Sequence, residues 1–282
     1  MVEMNVMRLH EFTVILYCLS VLLYFIDFLH NNRKVNKIAF WLLAFVWLIQ
    51  SIFLITRMLD TGRLPILSMI EGLYFYSWVL ITLSLILNKF LRVDFIVFFT
   101  NLLGFFMMAL HTFAPGQHGS SAVESQLISE LLIIHIIIAI LSYGAFSISF
   151  IFSILYLIQH NLLKQKKWGK RLLRLDDLSK LDHMAYVLNL IGVPMLLLSL
   201  ILGVLWAFIK VENFYFYDAK VLGSFFVLLI YSWYLYKRVV QKLQGKTIAY
   251  WNIGAFLLLL INFFLFGSLS SFHFWHTYTG GT

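Results

Sequence analysis

Eight long, nearly uninterrupted apolar runs dominate this chain, at about 9–29, 38–56, 68–88, 94–112, 129–159, 184–209, 219–237 and 249–272. Each is about 20 residues or longer, the length a helix needs to cross the hydrocarbon core of a bilayer. The runs are continuous rather than alternating, which excludes a transmembrane β-barrel. Hydrophobic residues make up 61% of the 282 positions and charged residues only 12%, against about 25% charged in an ordinary globular domain. One soluble core of this size cannot hide so much apolar surface. The expected fold is therefore an all-α integral membrane bundle of eight transmembrane helices, a single polytopic domain over residues 1–282. The first run is too long for a cleaved signal peptide, and no small-x-small site follows it.

The basic residues set the expected orientation. Arg33, Lys34 and Lys37; Lys89 and Arg92; Lys164, Lys166, Lys167, Lys170, Arg171, Arg174 and Lys180; and Lys237, Arg238, Lys242 and Lys246 fall in one set of loops. The opposite face holds Arg8, Arg57, Arg63, Lys210 and Lys220. By the positive-inside rule the first set is cytoplasmic, so both termini are expected outside. The net charge of +8 is thus a topology signal and not a nucleic-acid footprint. The longest cytoplasmic loop, 160–183, is basic in its first half, and Leu173, Leu175, Leu178 and Leu181 suggest a short amphipathic surface helix. A single cysteine, Cys18, excludes an internal disulfide and dithiol redox chemistry.

In lipid the informative residues are those the bilayer would reject. His30, His160 and His183 stand at cytoplasmic ends, where water is at hand. His10, His111, His118, His135, His273 and His276 fall on or near the outer face, His118 in the polar loop 115–126. His135 lies about 9 Å into the fifth run, among apolar neighbours in LLIIHIIIAILSYG. An imidazole there needs an interhelical hydrogen bond or a metal, and both readings stand. His273 and His276 close the last run as SFHFWH and share a face if the helix continues; with Phe274 and Trp275 they also suit an interfacial belt. Trp206, Phe214, Tyr215, Phe216, Tyr217 and Asp218 gather at the same level. Aromatic walls with imidazoles from two helices would suit a flat ligand such as an iron porphyrin. Zinc is less suited, since no Cys, Glu or second His stands within one helical turn of His135. Glu71, at the outer start of the third run, is expected to pair with Arg57, Arg63 or a ligand group. No nucleophile elbow or glycine-rich phosphate loop is present. Few ionisable residues lie at mid-membrane and no paired broken helices are visible, which counts against a transporter.

The segment RLDDLSKLDHMAYVLNLIGVPMLLLSLILGVLWA, Arg174 to Ala207, resembles the cytochrome c assembly proteins of the CcsA/CcmC type. The matching features are Leu181-Asp182, Gly192-Val193-Pro194 and Gly203-Val204-Leu205-Trp206-Ala207. GRLPILSMIEGLYFYSW (Gly62 to Trp78) and LLIIHIIIAILSYGAF (Leu131 to Phe146) extend the resemblance in the family's order. Size, eight spans and the closing FHFW are most similar to the HemX branch of Gram-positive bacteria.

That resemblance implies non-covalent haem b (iron protoporphyrin IX) at the outer face, between His135 and His273 as axial ligands, with His276 a rival for the second place. The family's tryptophan-rich segment corresponds to Tyr217-Asp218-Ala219-Lys220-Val221-Leu222-Gly223, which keeps the Asp and Lys but not most tryptophans. Tyr236 stands where the assembly proteins carry a histidine, and Arg63 where they often have one in a Gly-His-x-Pro turn. The departures point away from a lyase and toward a haem-binding, non-enzymatic member. The cofactor-binding set is His135, His273, His276, Trp206, Tyr215, Tyr217, Asp218 and Glu71, with His135 and His273 on the metal. For the HemX branch the implied role is a bacterial cell-membrane effector that lowers glutamyl-tRNA reductase and so regulates haem synthesis. Its partners would be haem, lipid and that reductase or another cytoplasmic protein met by the basic loops. A haem-handling lyase component and a haem transporter are the alternatives.

Overall fold

The structure is a computed structural model and describes residues 2–30, 32–91, 94–113, 129–166, 177–210 and 217–266. Every regular element among them is helical. The helices are α1 (Val2–His30), α2 (Arg33–Thr61), α3 (Met69–Leu91), α4 (Asp94–Phe113), α5 (Glu130–Lys164), α6 (Leu178–Lys210), α7 (Ala219–Val239) and α8 (Lys246–Ile261). The last passes directly into a π-helical turn, Asn262–Phe266. All eight are long and apolar enough to cross a bilayer, as the eight runs require.

Polar side chains mark the ends. Asn32 accepts a hydrogen bond from the Lys34 amide at the start of α2, and Gly62 ends that helix in the left-handed region at φ 65°. Ser129 caps α5 by accepting from the Leu132 amide. Each supplies a partner to backbone groups that a helix end leaves unpaired. α5 has 35 residues and α6 has 33, lengths near 50 Å at 1.5 Å per residue. Both therefore outrun a hydrocarbon core of about 30 Å. The loop expected over 160–183 is correspondingly narrower: α5 carries His160 to Lys164, and Leu178 and Leu181 form the start of α6. Leu181 is fully buried there, so these two leucines are not part of a separate surface helix. Leu173 and Leu175 lie outside the described residues.

The helices divide into two compact units, α1–α4 and α5–α8. In the first, α1 packs on α2 and α4, and α3 packs on α4 and α2. Its core holds Tyr17, Leu43, Tyr74, Ile81 and Met108. Polar groups inside it are paired across helices: the Tyr17 hydroxyl donates to Asn101 Oδ1 at 3.1 Å, and Asn101 Nδ2 to Ser84 Oγ at 2.9 Å. The Trp47 and Trp78 indoles donate to Thr82 and Ser51, each at 2.8 Å. Lipid offers such groups no alternative partner, so helix neighbours must.

In the second unit α5 packs along α6, while α8 lies against α5 and α7, and α7 against α6. The buried face of α5 is rich in small residues, Ser142, Gly144, Ala145, Ser147, Ser149 and Ser153, which lets the backbones approach closely. Phe146 shows how close: a Cβ on Gly192 of α6 would stand 2.6 Å from its ring. The same ring stacks on Tyr231 of α7, centroids 3.8 Å apart. Ser149 donates to the Ala185 carbonyl, Asn252 Nδ2 to both Ser149 and Ser153, and Asn189 Nδ2 to Asn252 Oδ1. This buried network joins α5, α6 and α8.

Candidate functional site

The second unit gathers its distinctive chemistry where α5 and α7 begin and α6 and α8 finish. His135 sits early in α5 with its ring against Gly203 of α6. A Cβ on Gly203 would come within 2.6 Å of His135 Cε1 and 2.8 Å of Nδ1. The Nδ1 atom lies 2.6 Å from the Ser199 carbonyl oxygen. A carbonyl can only accept, so this nitrogen carries the proton, and the neutral ring keeps its lone pair on Nε2. Ser199 Oγ in turn donates to the His135 carbonyl at 3.0 Å, a second strut between the same two residues. The interhelical hydrogen bond anticipated for a buried imidazole is thus present, and it sets the tautomer a metal-binding imidazole needs. The Gly-x-x-Trp-Ala motif has a packing logic: Gly203 makes room for His135, and Trp206, one turn on, is buried at 5% exposure.

α7 contributes Lys220. Asp218 caps α7 by accepting from the Lys220 amide at 2.8 Å. Lys220 Nζ donates to the Asn262 carbonyl at 2.9 Å, where the π-turn begins, and lies 5.6 Å from the centre of the Phe263 ring. Asn262 Nδ2 donates to Ser224 Oγ at 3.2 Å, tying the turn to α7. π-Turns recur at functional sites, and this one was not legible in a run that reads as uniformly apolar. In the sequence Lys220 stands out only as a topology charge and as a match to the family segment.

Several expected site residues are placed differently from one another. Tyr217 is 85% exposed. Glu71 belongs to the first unit, where it organises the turn before α3. Its Oε2 lies 3.2 Å from Arg63 Nη1 and accepts from the Leu67 amide at 2.9 Å. Of the two arginines anticipated as partners, Arg63 is the one it meets. Tyr215, His273 and His276 lie outside the described residues, as does the whole stretch 211–216. No cluster of three or more His, Cys, Asp or Glu side chains occurs among the described residues.

At the opposite end of the second unit, Asp182 of α6 forms an ion pair with Arg238 of α7. Asp182 Oδ1 accepts from the Gly245 amide at 3.4 Å, and Arg238 Nη1 donates to the Leu243 carbonyl at 3.1 Å. The Asp of the family's Leu-Asp pair is therefore a structural clamp on the α7–α8 turn.

Residues 66–273 match the family described as Cytochrome C assembly protein. The chain is 63% identical to Protein HemX of Bacillus subtilis (strain 168), covering 97% of this chain and 99% of that protein. It is 46% identical to Protein HemX of Brevibacillus brevis, over 95% and 97% of the two chains. The cytochrome c biogenesis protein CcsA of Cyanophora paradoxa is 25% identical over 86% of this chain and 88% of its own length.

Proposed function

The chain belongs to the cytochrome c assembly protein family, as a HemX-type member of the CcsA group, and on that premise we propose that it is a haem-binding membrane effector rather than an enzyme. The observation that carries the reading is His135. Its Nδ1–H is committed to the Ser199 carbonyl, which leaves Nε2 as the ligand atom, the arrangement in which metal-bound imidazoles are held. Gly203 offers no side chain against the ring, so the imidazole can lie flat in the helix interface. Lys220, at the same end, carries a charge suited to a propionate carboxylate. His273 is the proposed second ligand, with His276 its neighbour. Bound haem b would supply an iron centre whose absorption reports its axial ligands. The protein's own work is to hold the imidazole in one tautomer, to pair a carboxylate with Lys220, and to shield the site with Trp206.

The proposed output is cytoplasmic. Haem held by one arrangement of the helices more tightly than by another would shift the population, and the basic segment between α5 and α6 would present that change to glutamyl-tRNA reductase and lower it. The competing reading, a component of haem attachment to cytochrome c, has Tyr236 against it, which stands on α7 where the assembly proteins place a histidine and is 43% exposed. The test is an absorption spectrum of detergent-purified protein, oxidised and reduced, beside His135→Ala and His273→Ala. A low-spin bis-imidazole spectrum lost in both variants supports the haem site; wild type that gives no such spectrum when offered haem removes it. Reductase abundance and haem-stained cytochromes c in a deletion strain separate the two roles. Raised reductase with normal cytochromes supports the effector, and the converse supports assembly.

A further inference from the structure

The first unit contains a second imidazole cluster, on which the haem reading does not draw. His10 of α1 and His111 of α4 are 101 positions apart in sequence, yet their ring centroids stand 5.0 Å apart with planes at 68°. Phe53 of α2 lies 4.4 Å from the His10 ring, and Tyr74 of α3 lies 5.5 Å from His10 and 5.0 Å from His111. All four helices of the unit thus send a ring to one point, at the end where α1 and α3 begin. Both histidines are partly buried there.

We propose that His10 and His111 form a two-imidazole binding site for a single transition-metal ion of the copper–zinc class. The ring separation carries the argument. A metal–imidazole bond of about 2.0–2.1 Å puts an ion roughly 3.2 Å from the ring centroid. Two rings 5.0 Å apart then subtend about 100° at the ion, between the square-planar and tetrahedral angles. Two axial imidazoles on opposite sides of a haem iron would need centroids roughly 6.4 Å apart. The pair is therefore spaced for two adjacent ligands on one small ion and not for a porphyrin.

The hydrogen bonding agrees. His111 Nδ1 lies 2.9 Å from the Ile70 carbonyl oxygen, which fixes its proton there and leaves the lone pair on Nε2. No hydrogen bond among the described residues fixes the His10 ring, so rotation about its Cβ–Cγ bond can bring a nitrogen to the same ion. Neutral imidazoles suit copper, zinc and iron ions, whereas magnesium and calcium prefer oxygen. No third His, Cys, Asp or Glu joins the pair among the described residues. Water or a small exogenous ligand can therefore complete the coordination, as in an open rather than a closed structural site.

The test uses full-length protein in mild detergent, prepared without a histidine tag. Cu(II) is titrated in, with zinc as competitor, and electron paramagnetic resonance counts the coordinated nitrogens. The expected result is one equivalent with a two-imidazole pattern that zinc displaces. His10→Gln and His111→Gln should each lower the affinity by more than the ~10–100-fold cost of losing a hydrogen bond to a metal-bound histidine. His135→Ala, in the other unit, should leave it unchanged. Monodispersity and helical circular dichroism of each variant keep misfolding separate from ligand loss, and Phe53→Leu, which disturbs the wall but no ligand, should retain the two-nitrogen pattern. Wild type that shows no two-nitrogen signal, or binding that survives either glutamine variant in folded protein, overturns the assignment. So does haem that binds in His135→Ala and is lost in His10→Gln.

Discussion

Alanine at Gly203 would put one methyl group where the His135 ring now lies. Its Cβ would stand 2.6 Å from Cε1, 2.8 Å from Nδ1 and 3.1 Å from Nε2, all inside the ~3.5–4.0 Å optimum for heavy-atom contacts. The ring cannot yield in place, because Nδ1 is anchored to the Ser199 carbonyl at 2.6 Å. Either α5 and α6 separate or the ring swings away and gives up that bond. Overpacking costs about 1–3 kcal/mol, and an interhelical hydrogen bond in a membrane protein about 0.6 kcal/mol, at most about 1.7. Together the loss is about 2–4 kcal/mol. Gly254 of α8 supplies an internal standard. Nothing lies within 4 Å of a Cβ built there, so Gly254→Ala should be neutral or stabilising by up to about 1 kcal/mol. Reversible unfolding in mixed micelles with increasing dodecyl sulfate, followed by circular dichroism, reads the stability. A haem titration on the same samples reads the site. Gly203→Ala should unfold at clearly lower denaturant and lose about tenfold or more in haem affinity, and Gly254→Ala should do neither. Equal behaviour of the two variants in both assays would show that His135 is not seated against Gly203, and the reasoning would fail at its first step.

Three further outcomes follow from the second unit. Asp182→Asn or Arg238→Gln, each breaking an ion pair whose side chains are only 11% and 10% exposed, should cost about 3 kcal/mol, and the double variant less than the sum, as measured by a double-mutant cycle in the same micelles. Asn252→Ala removes three hydrogen bonds, to Asn189, Ser149 and Ser153; at about 0.6 kcal/mol each it should cost about 2 kcal/mol, while Asn252→Ala placed on a Ser149→Ala, Ser153→Ala background should cost less. Lys220→Met should weaken haem binding by roughly tenfold through the lost carboxylate partner yet leave the shape of the absorption spectrum unchanged, because no axial ligand is altered.

The spans could be read from the sequence because lipid imposes one local rule on every stretch of backbone. Local signals also foretold that Glu71 would meet a nearby arginine, since Arg63 and Glu71 are eight residues apart. What could not be read was long-range pairing of single residues. His10 looked like an interfacial histidine, and nothing near it in sequence announces His111. Asp182 looked like a family signature, and its clamp on Arg238 lies 56 positions on. His135 was legible as an expensive residue, but the identity of its partner, Ser199, rests on the register of α5 against α6, which apolar residues of similar size do not encode. The change of the last helix to a π-turn at Asn262 is illegible for the same reason: one amide in an apolar run carries no mark of the turn it allows.

The Asn189–Asn252–Ser149–Ser153 network bears on how the chain is made. Within the second unit α5 and α6 leave the ribosome before α8, and between them Ser149 has the Ala185 carbonyl to donate to. The amide that completes the cluster arrives only with α8, after α7 has crossed. Until then the Asn189 amide lacks the Asn252 oxygen to which it donates and has no water to turn to, and any passing helix with a carboxamide could bind it. The late arrival of Asn252 makes the last helix a latch, so that chains shortened before Lys246 would persist as partly closed species, open to quality-control proteases that recognise unsated polar groups within the membrane.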